Sequence, residues 1–346
     1  MEWNVPNAAD TKFRISSITK QFTAMLILWL KQAGKIDLQA EITDYLPWYR
    51  KDTGGKITIH QLLTHTSGIP NYTASANTIN DINTHNYMPQ EIAGKYCAGD
   101  LEFEPGAKFK YNNSGYFLLG VIIETITKKS YVENLKEQIF EPLGMKNSGI
   151  DSPFVLLKNR AAGYEYGFEG YENTDFIDME SATYAAGAIY STVKDLYLWQ
   201  IALDGERLLS KENKALMFTP NLGNYGYGFY ISKSKPAGMS KEITAIGHAG
   251  GINGFSALSL RFVENETVII LLDNTRVGKR GNLENISLGI FRILNDLPPS
   301  KIQKSLQVAM TEKMRAGGTG EELAAFYRRV KKEQKMNLTL TAPKHF

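Results

Sequence analysis

The chain has 346 residues, enough for one large two-lobed unit or two domains. Hydrophobic residues make up 43% and charged residues 22%, and a net charge of +3 with no long basic block gives no electrostatic case for nucleic acid or an anionic membrane. No segment reaches the ~18–20 apolar residues that span a bilayer, and the lone Cys97 excludes an intrachain disulfide and reads as a buried thiol.

In chain order, Thr19 to Ala33 reads as the first helix. Phe22, Met25, Leu26, Trp29, Leu30 and Ala33 fall at helical spacing, Ile27 and Leu28 fill much of the other side, and Gly34 is its stop. A helix apolar on most faces is buried. Ser17 stands at its start and Lys20 one turn on, on the same face. The N-terminal N–H groups and partial positive charge there favour negative charge on Ser17 or on a carbonyl oxygen beside it. Burial disfavours a protonated Lys20 and makes it a better base.

Ser-x-x-Lys recurs at Ser191–Lys194 and Ser232–Lys235. The first of these precedes Leu196 and Leu198, so Ser191 or Thr192 reads as a helix N-cap with an outward lysine. The second lies in a lysine- and serine-rich stretch before Pro236 and reads as a solvated turn.

Residues 57–160 are mainly helical by pattern. The run Ile59 to Pro70 reads as a short helix ending at a Gly and Pro stop, and His65 there reads as tying backbone together. Glu104-Pro105-Gly106 is a turn delivering the chain into Tyr111-Asn112-Asn113, on the loop before a helix expected over Tyr116–Thr127. From Tyr225 the pattern turns to period two. It predicts strands over Gly226–Ile231, Glu242–Ala249, Phe255–Phe262 and Thr267–Asp273, with Glu264-Asn265-Glu266 as a hairpin turn. His248 ends the second strand, and Gly250-Gly251 after it let backbone approach a ligand. A further amphipathic helix follows over residues 283–296. The polar, lysine-rich stretch 298–346 carries the capping box Thr319-Gly320-Glu321-Glu322.

Taken together, Ser17-Ile18-Thr19-Lys20, Tyr111-Asn112-Asn113 and His248-Ala249-Gly250 stand in one order that resembles the three catalytic elements of the β-lactamase and penicillin-binding-protein superfamily of serine hydrolases. The class C β-lactamase-like branch of esterases and D-amino-acid peptidases fits best. Thr11-Lys12-Phe13-Arg14-Ile15 leads into the serine as it does in that branch. Leu62 to Pro70, Glu141-Pro142-Leu143-Gly144-Met145, Tyr190-Ser191-Thr192 and Gly247-His248 through Gly254-Phe255 also match.

The resemblance implies an α+β fold. An antiparallel sheet lobe (about 1–56 and 225–297) would be flanked by helices, with an inserted mainly helical lobe (about 57–224), the active site between them and 298–346 as a C-terminal extension. It implies that Ser17 forms an acyl-enzyme with esters, amides of D-amino-acid peptides or β-lactams, and that Lys20 and Tyr111 share its activation and the protonation of the leaving group, leaving open which is the base. Asn113 would bind the substrate amide or hold Lys20. His248 and Gly250 would line the third element, and the N–H groups of Ser17 and Gly251 would form an oxyanion hole worth ~3 kcal/mol per donor. No metal or organic cofactor is implied; the partner is a small-molecule or peptide substrate.

The chain departs from the family pattern twice. His248 replaces the lysine of many relatives, which favours esters or D-peptides over efficient β-lactam hydrolysis. Family members usually carry a leader, a helix and two strands before the segment matching Glu2 to Asn7, so the resemblance predicts a fold lacking its first two strands, with Thr267–Asp273 as an apolar edge. Met1-Glu2-Trp3-Asn4 has no basic start or apolar core and does not read as a signal peptide, whereas the family is usually periplasmic or extracellular, so the sequence assigns no compartment. The competing function is a pseudoenzyme or sensor that binds penicillin- or peptidoglycan-like ligands without turnover.

Overall fold

The computed structural model describes residues 4–276, 282–299, 306–317 and 319–326. A buried helix, α1 (Thr19–Gln32), runs through the main core, as its all-round apolar pattern predicts. Phe22, Met25, Leu26, Ile27, Leu28 and Leu30 are each at most 2% exposed; burying one such side chain is worth about 1.5–3 kcal/mol. Gly34 ends the helix in the left-handed region at φ +67°, and the Lys35 N–H reaches back to the Leu30 carbonyl.

The second apolar helix, α2 (Asn113–Thr127), begins a turn earlier than the expected Tyr116. The Asn112 side chain caps it, accepting the Gly115 N–H at 3.2 Å. Tyr111-Asn112-Asn113 therefore straddles a loop–helix boundary, with Asn113 in the first turn. The helix α3 (Val193–Ala202) is capped by Thr192, whose hydroxyl accepts the Asp195 N–H at 3.1 Å, while Lys194 points to solvent. That Ser-x-x-Lys is thus a capping segment.

Short strands interrupt the expected helical lobe (about 57–224), and one of them pairs with Phe13–Arg14 outside it. Phe13–Arg14 (β1), Gly149–Ile150 (β2) and Ile189–Ser191 (β3) form a small antiparallel sheet in the order β1-β3-β2. It delivers the chain to Ser17, and the buried Asp151 carboxylate braces it between Arg14 at 2.5 Å and Arg160 at 2.9 Å. The hairpin Tyr164–Tyr166 and Tyr171–Asn173 pairs through Tyr164–Tyr166 with Thr275–Arg276.

The main sheet is antiparallel, in the order Tyr230–Ser234 (β4), Ile243–Ile252 (β5), Phe255–Phe262 (β6) and Thr267–Asp273 (β7). Its first strand starts later than the expected Gly226. Gly228 turns at φ +80° against the backbone of Lys20 and Gln21, where a side chain has no room, so residues 226–229 bend instead of extending. Ser232 consequently lies inside a strand, paired with Ala245 and 6% exposed; it is not in a solvated turn.

Leu258, Leu260 and Phe262 cluster with the helix α4 (Leu283–Leu294), Phe291 stacking on Phe262 at 4.0 Å between centroids. On the opposite face Ser259 accepts a hydrogen bond from Gln200 of α3 at 2.9 Å. Because side chains alternate, His248 and Gly250, which pair with Ser259 and Ala257, share that second face. Strand β7 touches α3 and α4, and among the described residues its far edge pairs with no strand.

A helix, Leu306–Arg315, lies in the expected C-terminal extension. Arg315 donates to the Gly167 carbonyl and the Tyr166 hydroxyl, both at 3.1 Å. Thr319 and Glu322 exchange the two hydrogen bonds of a capping box. Residues 327–346 of that extension, and Glu2 and Trp3, lie outside the described residues. No described helix is long and apolar enough to cross a membrane.

Candidate active site

Ser17 sits in a 3-10 turn, Ser16–Ile18, that runs directly into α1. The residue before it, Ser16, is held in the left-handed region at φ +47°, and its hydroxyl donates to the Gly251 carbonyl at 3.0 Å. That bond fixes the serine turn to strand β5. The Gly250 position reinforces it: a Cβ there would stand 2.1 Å from the Ile15 carbonyl, so only glycine lets the strand meet the chain just ahead of Ser17. The bare face of Gly250 is therefore filled by protein, while Gly251 beside it is exposed.

Lys20 follows one turn later and is fully buried. Its Nζ lies 2.8 Å from Asn113 Oδ1, 2.8 Å from the Ala186 carbonyl and 3.2 Å from Ser17 Oγ. Burial pushes the ammonium well below its ordinary pKa. The contact geometry suits either protonation state. An ammonium donates all three bonds; a neutral amine gives two N–H bonds to the acceptor-only oxygens and turns its lone pair to the Ser17 hydroxyl. The same nitrogen lies 4.9 Å from the centre of the Tyr111 ring.

The Tyr111 hydroxyl is buried and faces Ser17 without an aligned hydrogen bond. Burial drives its pKa well above the ordinary 10, and the Ser17 hydroxyl acts in the opposite sense. Asn113 is held on three sides. Its Oδ1 accepts from Lys20, its Nδ2 donates to Thr73 Oγ1 at 2.8 Å, and its N–H donates to Asn71 Oδ1 at 3.1 Å. His248 is 3% exposed, and its Nδ1 lies 2.6 Å from the Ala249 carbonyl. Its ring meets those of Tyr230, Tyr225 and Tyr111 at 5.3, 5.8 and 5.9 Å.

The three elements thus meet in space: Ser17 is half-buried and reachable, Lys20 lies behind it, Tyr111 and Asn113 flank it, and strand β5 forms the remaining wall. The third Ser-x-x-Lys pair, Ser232 and Lys235, lies on strand β4 and just beyond it, outside this set of contacts. The Beta-lactamase family model matches residues 2–288. The chain belongs to the Beta-lactamase family.

Among relatives in this family, the chain is 29% identical over 293 residues to the "Putative penicillin-binding protein PbpX" of Bacillus subtilis, covering 84% of this chain and 68% of that protein. It is 29% identical over 292 residues to "Penicillin-binding protein 4*" of the same organism, covering 78% and 62%. The chain thus spans about two thirds of the length of these relatives. Of solved structures, the D-amino acid amidase from Ochrobactrum anthropi SV3, complexed with L-phenylalanine, superposes with a TM-score of 0.68 at 29% identity over 81% of each chain. The α+β architecture is that of the β-lactamase and penicillin-binding-protein superfamily.

Several groups around this candidate site leave little or no mark in the sequence. The Ala186 carbonyl is backbone, so no side-chain pattern marks it. Asn71 precedes and Thr73 lies in a short 3-10 turn, Tyr72–Ala74, whose path depends on tertiary packing. Their polar types after Gly68 and Pro70 were the only available signal. Among the described residues no group of three His, Cys, Asp or Glu is placed to hold a metal.

Proposed function

We propose that this chain is a serine hydrolase working through an acyl-enzyme, with Ser17 as nucleophile. The observation that carries this reading is the environment of Lys20, a fully buried amine with two acceptor-only oxygens and the Ser17 hydroxyl around it. Its Nζ accepts the Ser17 proton as Oγ attacks the substrate carbonyl. Asn113 and Ala186 aim the amine. Tyr111, with its pKa raised by burial, gives its proton to the leaving group and takes in return the one that Lys20 received, so that it ends protonated and Lys20 neutral. The Ser17 and Gly251 N–H groups receive the oxyanion, and water then releases the acid.

The substrate class we infer is a neutral ester or an amide of a D-amino-acid derivative. The third element presents an imidazole packed among tyrosine rings where a fixed ammonium would suit a carboxylate. The similarity to a D-amino acid amidase supports the same class.

A fluorophosphonate probe tests the nucleophile. The purified chain is expected to gain one adduct by intact mass, mapping to Ser17 and absent from Ser17→Ala. Folded protein that takes no adduct overturns the enzyme reading and leaves ligand binding without turnover.

A further inference from the structure

Beside the proposed machinery lies a buried imidazole with no role in it so far. His65 is 1% exposed and stands at φ +58°, a left-handed conformation unusual for a residue with a side chain. It touches three consecutive residues of the segment carrying Tyr111. The His65 carbonyl accepts the Lys110 N–H at 2.9 Å. Its ring packs against the Tyr111 ring at 4.3 Å between centroids. Its Nδ1 accepts the Asn112 N–H at 3.1 Å. Tyr225 at 4.6 Å, Tyr116 at 5.1 Å and Phe109 at 5.8 Å close the remaining sides.

These contacts fix the chemistry of the ring. An imidazole that accepts at Nδ1 is neutral and carries its proton on Nε2. Burial first, then the nearby Lys20 and His248, hold it well below its ordinary pKa, which keeps Nδ1 free to accept. Filling space needs only an apolar ring. An acceptor aimed at the amide next to Tyr111, on a backbone held in a left-handed turn, does more than fill space.

We infer that His65 is a positioning residue. It clamps the 110–112 segment so that the Tyr111 hydroxyl faces Ser17, and it acts on the reaction only through Tyr111. This inference rests on the function proposed above, since it needs a reactive Ser17.

Two substitutions separate the two halves of the clamp. His65→Asn keeps an acceptor near the Nδ1 position and suits the left-handed backbone, but removes the ring. His65→Phe keeps the ring and leaves the Asn112 N–H unpaired. The readout is the rate constant for fluorophosphonate labelling of Ser17, normalised to the fraction of sites that label, in the full chain and in the Tyr111→Phe background. Each single variant is expected to label about tenfold to a hundredfold more slowly, the scale of a small misplacement of a reacting group. In the Tyr111→Phe background the same change should matter less than about twofold, because the residue it positions is gone.

A merely structural role would lower yield or labelled fraction equally in both backgrounds and leave the normalised rate unmoved; that outcome overturns the proposal. Labelling of wild type and of His65→Asn at equal rates overturns it too, and does so even should the phenylalanine variant fail to fold. Wild-type protein that never labels at Ser17 overturns this inference together with the proposed function. Normal wild-type labelling with unaffected His65 variants overturns the positioning role alone.

Discussion

At Lys20 the surroundings set both reactivity and a measurable dependence on pH. Burial lowers its pKa below the ordinary 10.5, so the folded state disfavours its proton. Between the lowered folded value and 10.5 the unfolded chain carries a proton there that the folded chain does not. The unfolded state binds more protons in that window, so this residue makes stability rise with pH across it. Denaturant midpoints of wild type minus Lys20→Met, followed over that window, should show the rise, and a flat difference would contradict it. The same substitution removes the proposed base, and Ser17 labelling should slow by about 10²- to 10⁴-fold. The wild-type labelling rate should fall as the pH drops through the lowered Lys20 pKa, a limb absent from Lys20→Met. Cys97, by contrast, is buried with its pKa pushed up to about 12, a thiol with no thiolate at neutral pH.

At the scale of elements, much of the molecule was legible because local rules and packing agree. The periodicity of residues 19–33 puts Lys20 in the first turn of a buried helix that starts just after Ser17, since an all-round apolar helix has little choice but the core. Thr192 shows the same agreement. Replacing it by alanine removes the cap of α3, and the protein should lose about 1 kcal/mol in a denaturant melt. The normalised labelling rate of Ser17 should stay unchanged; a slowed rate would show that α3 reaches further into the site than its contacts indicate. Where reading failed, two elements competed for the same residues. Asn112, Asn113 and Ser114 are all good caps, and only the bonds of Asn113 to Lys20 and Thr73 explain why the cap falls on its neighbour. Ser232 sits in a lysine- and serine-rich stretch, and its composition hid a strand whose partner, β5, is separate in sequence. The Ala186 carbonyl was invisible in principle, because a backbone acceptor leaves no mark on residue type.

Across the whole molecule, the partners of one nitrogen come from distant stretches of chain. Lys20 meets Ser17 across 3 positions, Asn113 across 93 and Ala186 across 166. The order of events during folding follows from those separations. Helix α1 forms from local contacts, but the surroundings of its lysine exist only after two long loops have closed, and loop closure costs entropy before any contact repays it. Adding the probe at successive delays after dilution from denaturant should show the far-ultraviolet helical signal returning first and Ser17 reactivity later; simultaneous recovery would mean that the helical and sheet regions assemble in one step. With the helix forming first, newly made chains pass through a helical but unreactive stage, and a nucleophile that switches on only with the final closure is spared from attacking the wrong carbonyl while the chain is still open.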